Sequence, residues 1–209
     1  MPLKPLGASR REAYYFRGFS LRTPMVPCNG VLKCALLGAS LLALSGPLFA
    51  GAETVIGVSN AQRCFEGALA GQSSLGAIEV CTKALDMENL SEKDRAATYT
   101  NRGILYGQSG RAERALADFS RALDLSPGLI HALINRGNLF VRLKRFTEAM
   151  ADYDQALFYS EGRNALVYFN RSLAQEQLGR KQAARDDLLK AVQLEPENIR
   201  FREALAAFK

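Results

Sequence analysis

Residues 96–129 read AATYTNRGILYGQSGRAERALADFSRALDLSPGL, and this pattern of 34 positions recurs twice further along the chain. Asn101-Arg102-Gly103 returns as Asn135-Arg136-Gly137 at an offset of 34, then as Asn170-Arg171-Ser172 at an offset of 35. The same offsets carry Ala115 to Ala149 to Ala184, Ala122 to Ala156 to Ala191, Phe119 to Tyr153 to Leu188, and Tyr99 to Leu133 to Tyr168. Pro127 and Pro196 close the first and last blocks, while Glu161-Gly162 and the one extra residue occupy that turn in the middle block. A fixed period of this length marks a repeat architecture, in which each unit buries its apolar face only against its neighbours.

Each block reads as two helices. In 96–109 the side chains Tyr99, Ile104, Leu105 and Tyr106 fall at helical spacing, and Ser109-Gly110 stops the helix. The second, over about 111–125, gathers Ala115, Leu116, Phe119, Ala122 and Leu123 on one face before Ser126-Pro127-Gly128 ends it. Gly103 and Ala115 leave room for two antiparallel backbones to approach, with Phe119 filling the space beside them.

These residues resemble the tetratricopeptide repeat, whose skeleton runs Trp/Tyr, Leu, Gly, Tyr, Ala, Phe, Ala, Pro. Block 96–129 carries Tyr99, Gly103, Tyr106, Ala115, Phe119, Ala122 and Pro127, with Arg102 where leucine is usual. Block 130–163 keeps Gly137, Phe140, Ala149, Tyr153 and Ala156; block 165–198 keeps Tyr168, Gly179, Ala184, Ala191 and Pro196, with Ser172 replacing the glycine. The resemblance implies an all-α fold, a right-handed solenoid of helical hairpins. Residues 53–95 read as a degenerate first repeat and linker, with Ala77, Cys81 and Ala84 in the Ala, Phe and Ala slots and Ser91-Glu92-Lys93-Asp94 as a helix start. Residues 199–209 read as a capping helix, with Phe201, Ala204, Leu205 and Phe208 as its apolar stripe.

Composition narrows the chemistry. The chain has 209 residues and a formal charge of +6, but residues 1–52 hold six Lys or Arg against Glu12 alone, so the rest is close to neutral. The basic total is therefore no sign of nucleic-acid binding. With one histidine, His131, a zinc site of ordinary Cys and His spacing is not expected, and no cofactor is implied. No constellation of residues suggests catalysis.

The opening segment has the layout of an export signal. Lys33 precedes the apolar run Ala35–Gly46, Pro47 follows, and Ala50-Gly51-Ala52 offers a small-x-small cleavage site before Glu53. Initiation at Met25 would leave a signal of 28 residues. Counted on through Ala50 the apolar run is about 16 residues, short of the roughly 20 a spanning helix needs. Export to the periplasm or beyond is expected, with an uncleaved membrane anchor as the alternative. The mature protein is then 53–209, with no membrane insertion of its own.

Export would leave two cysteines, Cys64 and Cys81, in an oxidising compartment. The repeat template sets Cys64 beside the glycine position and Cys81 at the aromatic position, facing across one helix pair, which implies a disulfide; two free thiols or a redox pair remain open. In this family the first helices line a concave groove. The resemblance puts Asn101, Asn135 and Asn170 there at equivalent heights, with Thr100, His131, Ile134, Asn138, Arg142, Phe169 and Gln177 around them. A ladder of carboxamides suits an extended peptide, since each can pair with a backbone N–H and C=O. The asparagines could equally bond the backbone of a neighbouring repeat. Arg102, Arg136 and Arg171 are expected to lie across the helix pair or pair with acids. The paired lysines with which some relatives clamp a terminal carboxylate are not evident. The function expected is a non-catalytic adaptor of the cell envelope binding a protein or peptide partner. The alternative is a structural subunit that self-associates through Val141, Phe169 or the terminal helix.

Overall fold

The computed structural model describes residues 58–71 and 73–208. The expected leader, its cleavage after Ala52, and Cys28 and Cys34 lie outside the described residues. Within them every regular element is an α-helix. These are α1 (Asn60–Leu69), α2 (Leu75–Met87), α3 (Glu92–Gln108), α4 (Ala112–Leu125), α5 (Ile130–Arg142), α6 (Phe146–Tyr159), α7 (Ala165–Gln177), α8 (Lys181–Leu194) and α9 (Ile199–Ala207).

Local chemistry sets the helix starts. Ser59, Ser74, Ser91 and Asn164 each accept a backbone N–H two or three residues on with their side-chain oxygen, opening α1, α2, α3 and α7. Ser91 starts α3 four residues before the repeat proper, so this helix is 17 residues long. The turns inside each hairpin need a left-handed residue: Gly110 at φ 78° and Gly179 at φ 72° supply it, and Lys144 takes the equivalent place at φ 60°. The extra residue between the middle and last blocks is absorbed by two consecutive left-handed residues, Glu161 and Gly162.

Packing inside each hairpin follows one rule. Ala84, Ala115, Ala122, Ala149, Ala156, Ala184 and Ala191 are wholly buried where the helices cross. At Gly103 an added Cβ would lie 2.7 Å from the Phe119 ring, and at Gly137 it would lie 2.7 Å from the Tyr153 ring. The hairpin of α7 and α8 solves the crossing differently. Ser172 stands in the glycine position, buried with its hydroxyl donating to the Phe169 carbonyl at 2.7 Å, and the aromatic slot holds the smaller Leu188. The departure from the repeat pattern at one position is thus matched by a departure at the other.

The first hairpin is held by other means. Cys64 and Cys81 form a disulfide between α1 and α2, with Cα atoms 4.7 Å apart. Both are fully buried beside Ile78 and Leu105. Glu88, just after α2, receives the Asn60 N–H at 2.5 Å and the Ala61 N–H at 3.3 Å, so the linker caps the start of α1. At the other end α9 lays Phe201 on Phe169, ring centroids 5.0 Å apart, within a cluster that includes Leu188 and Ala191.

Candidate functional site: the face of the first helices

α1 packs on α3, α3 touches α5 and α5 touches α7, whereas among the described residues no comparable contact joins α2 to α4, α4 to α6 or α6 to α8. The first helices therefore lie on the inside of the curve. On α5, His131, Asn135, Asn138 and Arg142 form one stripe at i, i+4, i+7 and i+11. Arg142 locates that stripe on the inner side, because its Nη1 donates to the Gly107 carbonyl of α3 at 3.3 Å. Asn101 and Asn170 occupy the equivalent positions of α3 and α7.

The six residues are not alike. Asn135 Nδ2 donates to the His131 carbonyl one turn back at 2.8 Å, leaving its Oδ1 facing outward from that bond. Asn138 Oδ1 accepts the Tyr153 hydroxyl at 2.7 Å, so it braces its own hairpin. Burial, followed by the charge of Asp152, pushes the Tyr153 phenol well above its ordinary pKa, so it stays a donor. Burial alone lowers the pKa of His131 below its ordinary 6.5. Asn101 is half-buried, but Asn170 is only 7% exposed, which corrects the expectation of three solvent-facing carboxamides. Its neighbour Phe169 is buried under Phe201, with Arg200 4.6 Å from its ring, and so is withdrawn from any docking surface. Thr100 and Ile134 are likewise buried; Gln177 is exposed.

The repeated arginines supply what the asparagines do not. Arg102 donates from Nε and Nη2 to both oxygens of Asp118, at 2.7 and 2.9 Å, and from Nη1 to Thr82 at 3.1 Å. Arg136 does the same with Asp152 and reaches Ser120; Arg171 does so with Asp187 and reaches Asp154. Each guanidinium ties its own second helix to the second helix of the preceding repeat. The three aspartates are buried, so the bidentate geometry matters: it satisfies both carboxylate oxygens at once. The hydrogen bond to Asp187 raises the Arg171 pKa above its usual value; for Arg102, burial opposes the charge, but the bond and attraction to Asp118 outweigh it. Tyr99 and Tyr106 flank Arg102, 5.5 and 5.8 Å from its carbon to the ring centres. The recurrence of Arg was visible in the sequence; the matching Asp at 118, 152 and 187, at the same offsets, was the signal that sequence reasoning passed over.

With this geometry in view, a family model for the tetratricopeptide repeat matches residues 100–162 and again residues 134–199. Together the matches span residues 100–199, just under half of the chain. Solved structures agree on the fold. The first such domain of Spaghetti (RPAP3), bound to an HSP90 peptide SRMEEVD, superposes with a TM-score of 0.54 at 23% identity, over 56% of this chain and 95% of that one. The second domain of human RPAP3, in complex with an HSP70 peptide SGPTIEEVD, gives 0.53 at 23% identity over 56% and 98%. MamA from Desulfovibrio magneticus RS-1 gives 0.56 at 21% identity over 69% and 77%. No curated protein matches the chain in sequence. Among the described residues of the repeat array, no group of three His, Cys, Asp or Glu could hold a metal ion, and no helix is long and apolar enough to cross a membrane.

Proposed function

We propose that the concave face of the repeats binds an extended segment of a protein partner, and that the protein is a non-catalytic adaptor of the cell envelope. One observation carries this reading: the side-chain bonds between hairpins are made by Arg95, Arg102, Arg136, Arg142 and Arg171, and no asparagine of the ladder bonds a neighbouring hairpin among the described residues. Asn101 and Asn135, half-buried and without an inter-repeat bond, are suited to an outside backbone, whereas Asn170 is nearly covered. Two of the similar structures hold peptides, which supports a peptide as the form of ligand. The Cys64–Cys81 bond supports export, because such bonds persist in oxidising compartments. The apolar run before Glu53 supports the same route.

Partners captured from the native envelope by the wild-type chain should be lost from an Asn101→Ala/Asn135→Ala variant. Each neutral hydrogen bond is worth about 0.5–1.5 kcal/mol, so the affinity of a captured segment should fall by about one to two orders of magnitude with the melting temperature held. A variant that melts early while folded molecules bind as before would make the asparagines structural and defeat the reading.

A further inference from the structure

The two ends of the described array are held in different ways. At the first end α1 is bonded covalently to α2 through Cys64 and Cys81, and Glu88 caps its start. At the other end α9 stands where a further repeat would place its first helix, since Pro127 and Ile130 return as Pro196 and Ile199. Among the described residues no second helix follows to complete that hairpin. α9 is also a weak helix in its own right. It has 9 residues, fewer than the roughly 12–15 at which an isolated helix becomes even marginally stable. Asn198, at its N-cap, directs its amide to Glu195 at 2.9 Å and makes no capping bond. The first turn holds Arg200 and no acid, and the last turn holds no base, so neither end carries a charge of the favoured sign.

What holds α9 is the contact it makes. Phe201 is its buried residue, while Ala204, Leu205 and Phe208 are partly covered. The Phe201 ring lies on Phe169 of α7, with the planes 28° from parallel, and Arg200 approaches the same Phe169 ring. Ala165 of α7 and Leu188 and Ala191 of α8 complete this apolar seat. Phe169 immediately precedes Asn170 of the ladder and fills the position where α3 and α5 carry Thr100 and Ile134. With α9 in place Phe169 is withdrawn from docking; with α9 displaced it rejoins the row of first-helix side chains that the groove uses.

We propose that α9 is a displaceable lid, and that a partner segment carrying an aromatic side chain enters this end of the groove by replacing Phe201 on Phe169. The inference rests on the groove reading above and adds the chemistry of one end of the ligand. That chemistry is read from α9 itself: a flat apolar ring to stack on Phe169, with a cation beside it for the contact that Arg200 makes. Elements that open on binding are drawn from the least stable part of a fold, and α9, uncapped and without a second helix, is such an element.

Hydrogen exchange of the full wild-type chain tests the lid without any variant. Amides of α9 should exchange by local opening, faster by about tenfold or more than those of α7 and α8. A labelled peptide of residues 195–208 then tests the seat. A lid open in about 0.1–10% of molecules should weaken peptide binding to the wild-type chain by about 10- to 1000-fold relative to the Phe201→Ala chain, whose seat is vacated. The peptide bearing Phe201→Ala should bind neither chain. The proposal is overturned by α9 amides as slow as those of α7 and α8, by a peptide that binds both chains equally, or by one that binds neither. A wild-type dimer that Phe201→Ala abolishes gives the seat to a second copy and also overturns it. Failure of the groove reading is separable: it shows as captured partners retained by Asn101→Ala/Asn135→Ala, changes that leave the seat untouched.

Discussion

Arg136 holds both oxygens of Asp152, at 2.9 and 2.7 Å, and with its remaining terminal nitrogen reaches Ser120 in the repeat before. The aspartate keeps only 5% of its side chain in water and the arginine 21%. Removing one partner therefore strands a desolvated charge. Asp152→Ala should destabilise the chain by about 3 kcal/mol, toward the lower end for broken buried pairs because Arg136 retains some hydration. Arg136→Leu/Asp152→Ala, which removes both charges together, should recover most of that loss. Chemical denaturation of the three proteins checks both expectations.

Gly137→Ala should cost about 1–3 kcal/mol, since its methyl would fall 2.7 Å from the Tyr153 ring. The hairpin of α7 and α8 indicates the remedy. Tyr153→Leu in the Gly137→Ala background should restore part of the loss, as Leu188 accommodates Ser172, and the two changes should be non-additive in a double-mutant cycle.

Reduction of Cys64–Cys81 reopens a loop with a sequence separation of 17, worth about 3 kcal/mol in the chain-entropy account. The loss should be local. Hydrogen exchange should accelerate in α1 and α2 and leave α5 to α8 protected, and a Cys64→Ala/Cys81→Ala variant should reproduce the pattern without reductant. Uniform acceleration along the chain would contradict it.

His131 should make the fold weaker in mild acid. Burial holds its pKa below 6.5, so the folded chain takes up a proton less readily than the unfolded chain. Its contribution to stability is complete above pH 6.5 and is lost as the pH falls from there through the folded value. A His131→Gln variant should show a flatter fall in melting temperature over that interval.

The hairpins were legible in the sequence because alanine and glycine at fixed offsets leave little freedom in how two helices cross, and Ser91 announced the start of α3 through its capping chemistry. The ladder was less legible. Asn101, Asn135 and Asn170 share one position, yet their burial differs: Asn101 and Asn135 are half-buried, while Asn170, next to the Phe169 that α9 covers with Phe201, is 7% exposed. A repeat pattern gives a residue's position on its own helix, but burial depends on what the next element does. The arginines were expected to lie across the helix pair or pair with acids, and they do; their particular partners were not legible, since two charges 16 residues apart look like surface residues until both helices are drawn together.

Each arginine reaches backward, to Thr82, Ser120 or Asp154, and never forward. All three acceptors carry an oxygen at one equivalent position of a second helix, so the joint is indifferent to which repeat precedes it. Deleting residues 130–163 as a unit would present Arg171 with the hydroxyl of Ser120 in place of the carboxylate of Asp154, and the connection would re-form. The array is therefore a set of interchangeable parts with a one-way coupling: repeats can be excised or duplicated whole, in either case without designing a new joint.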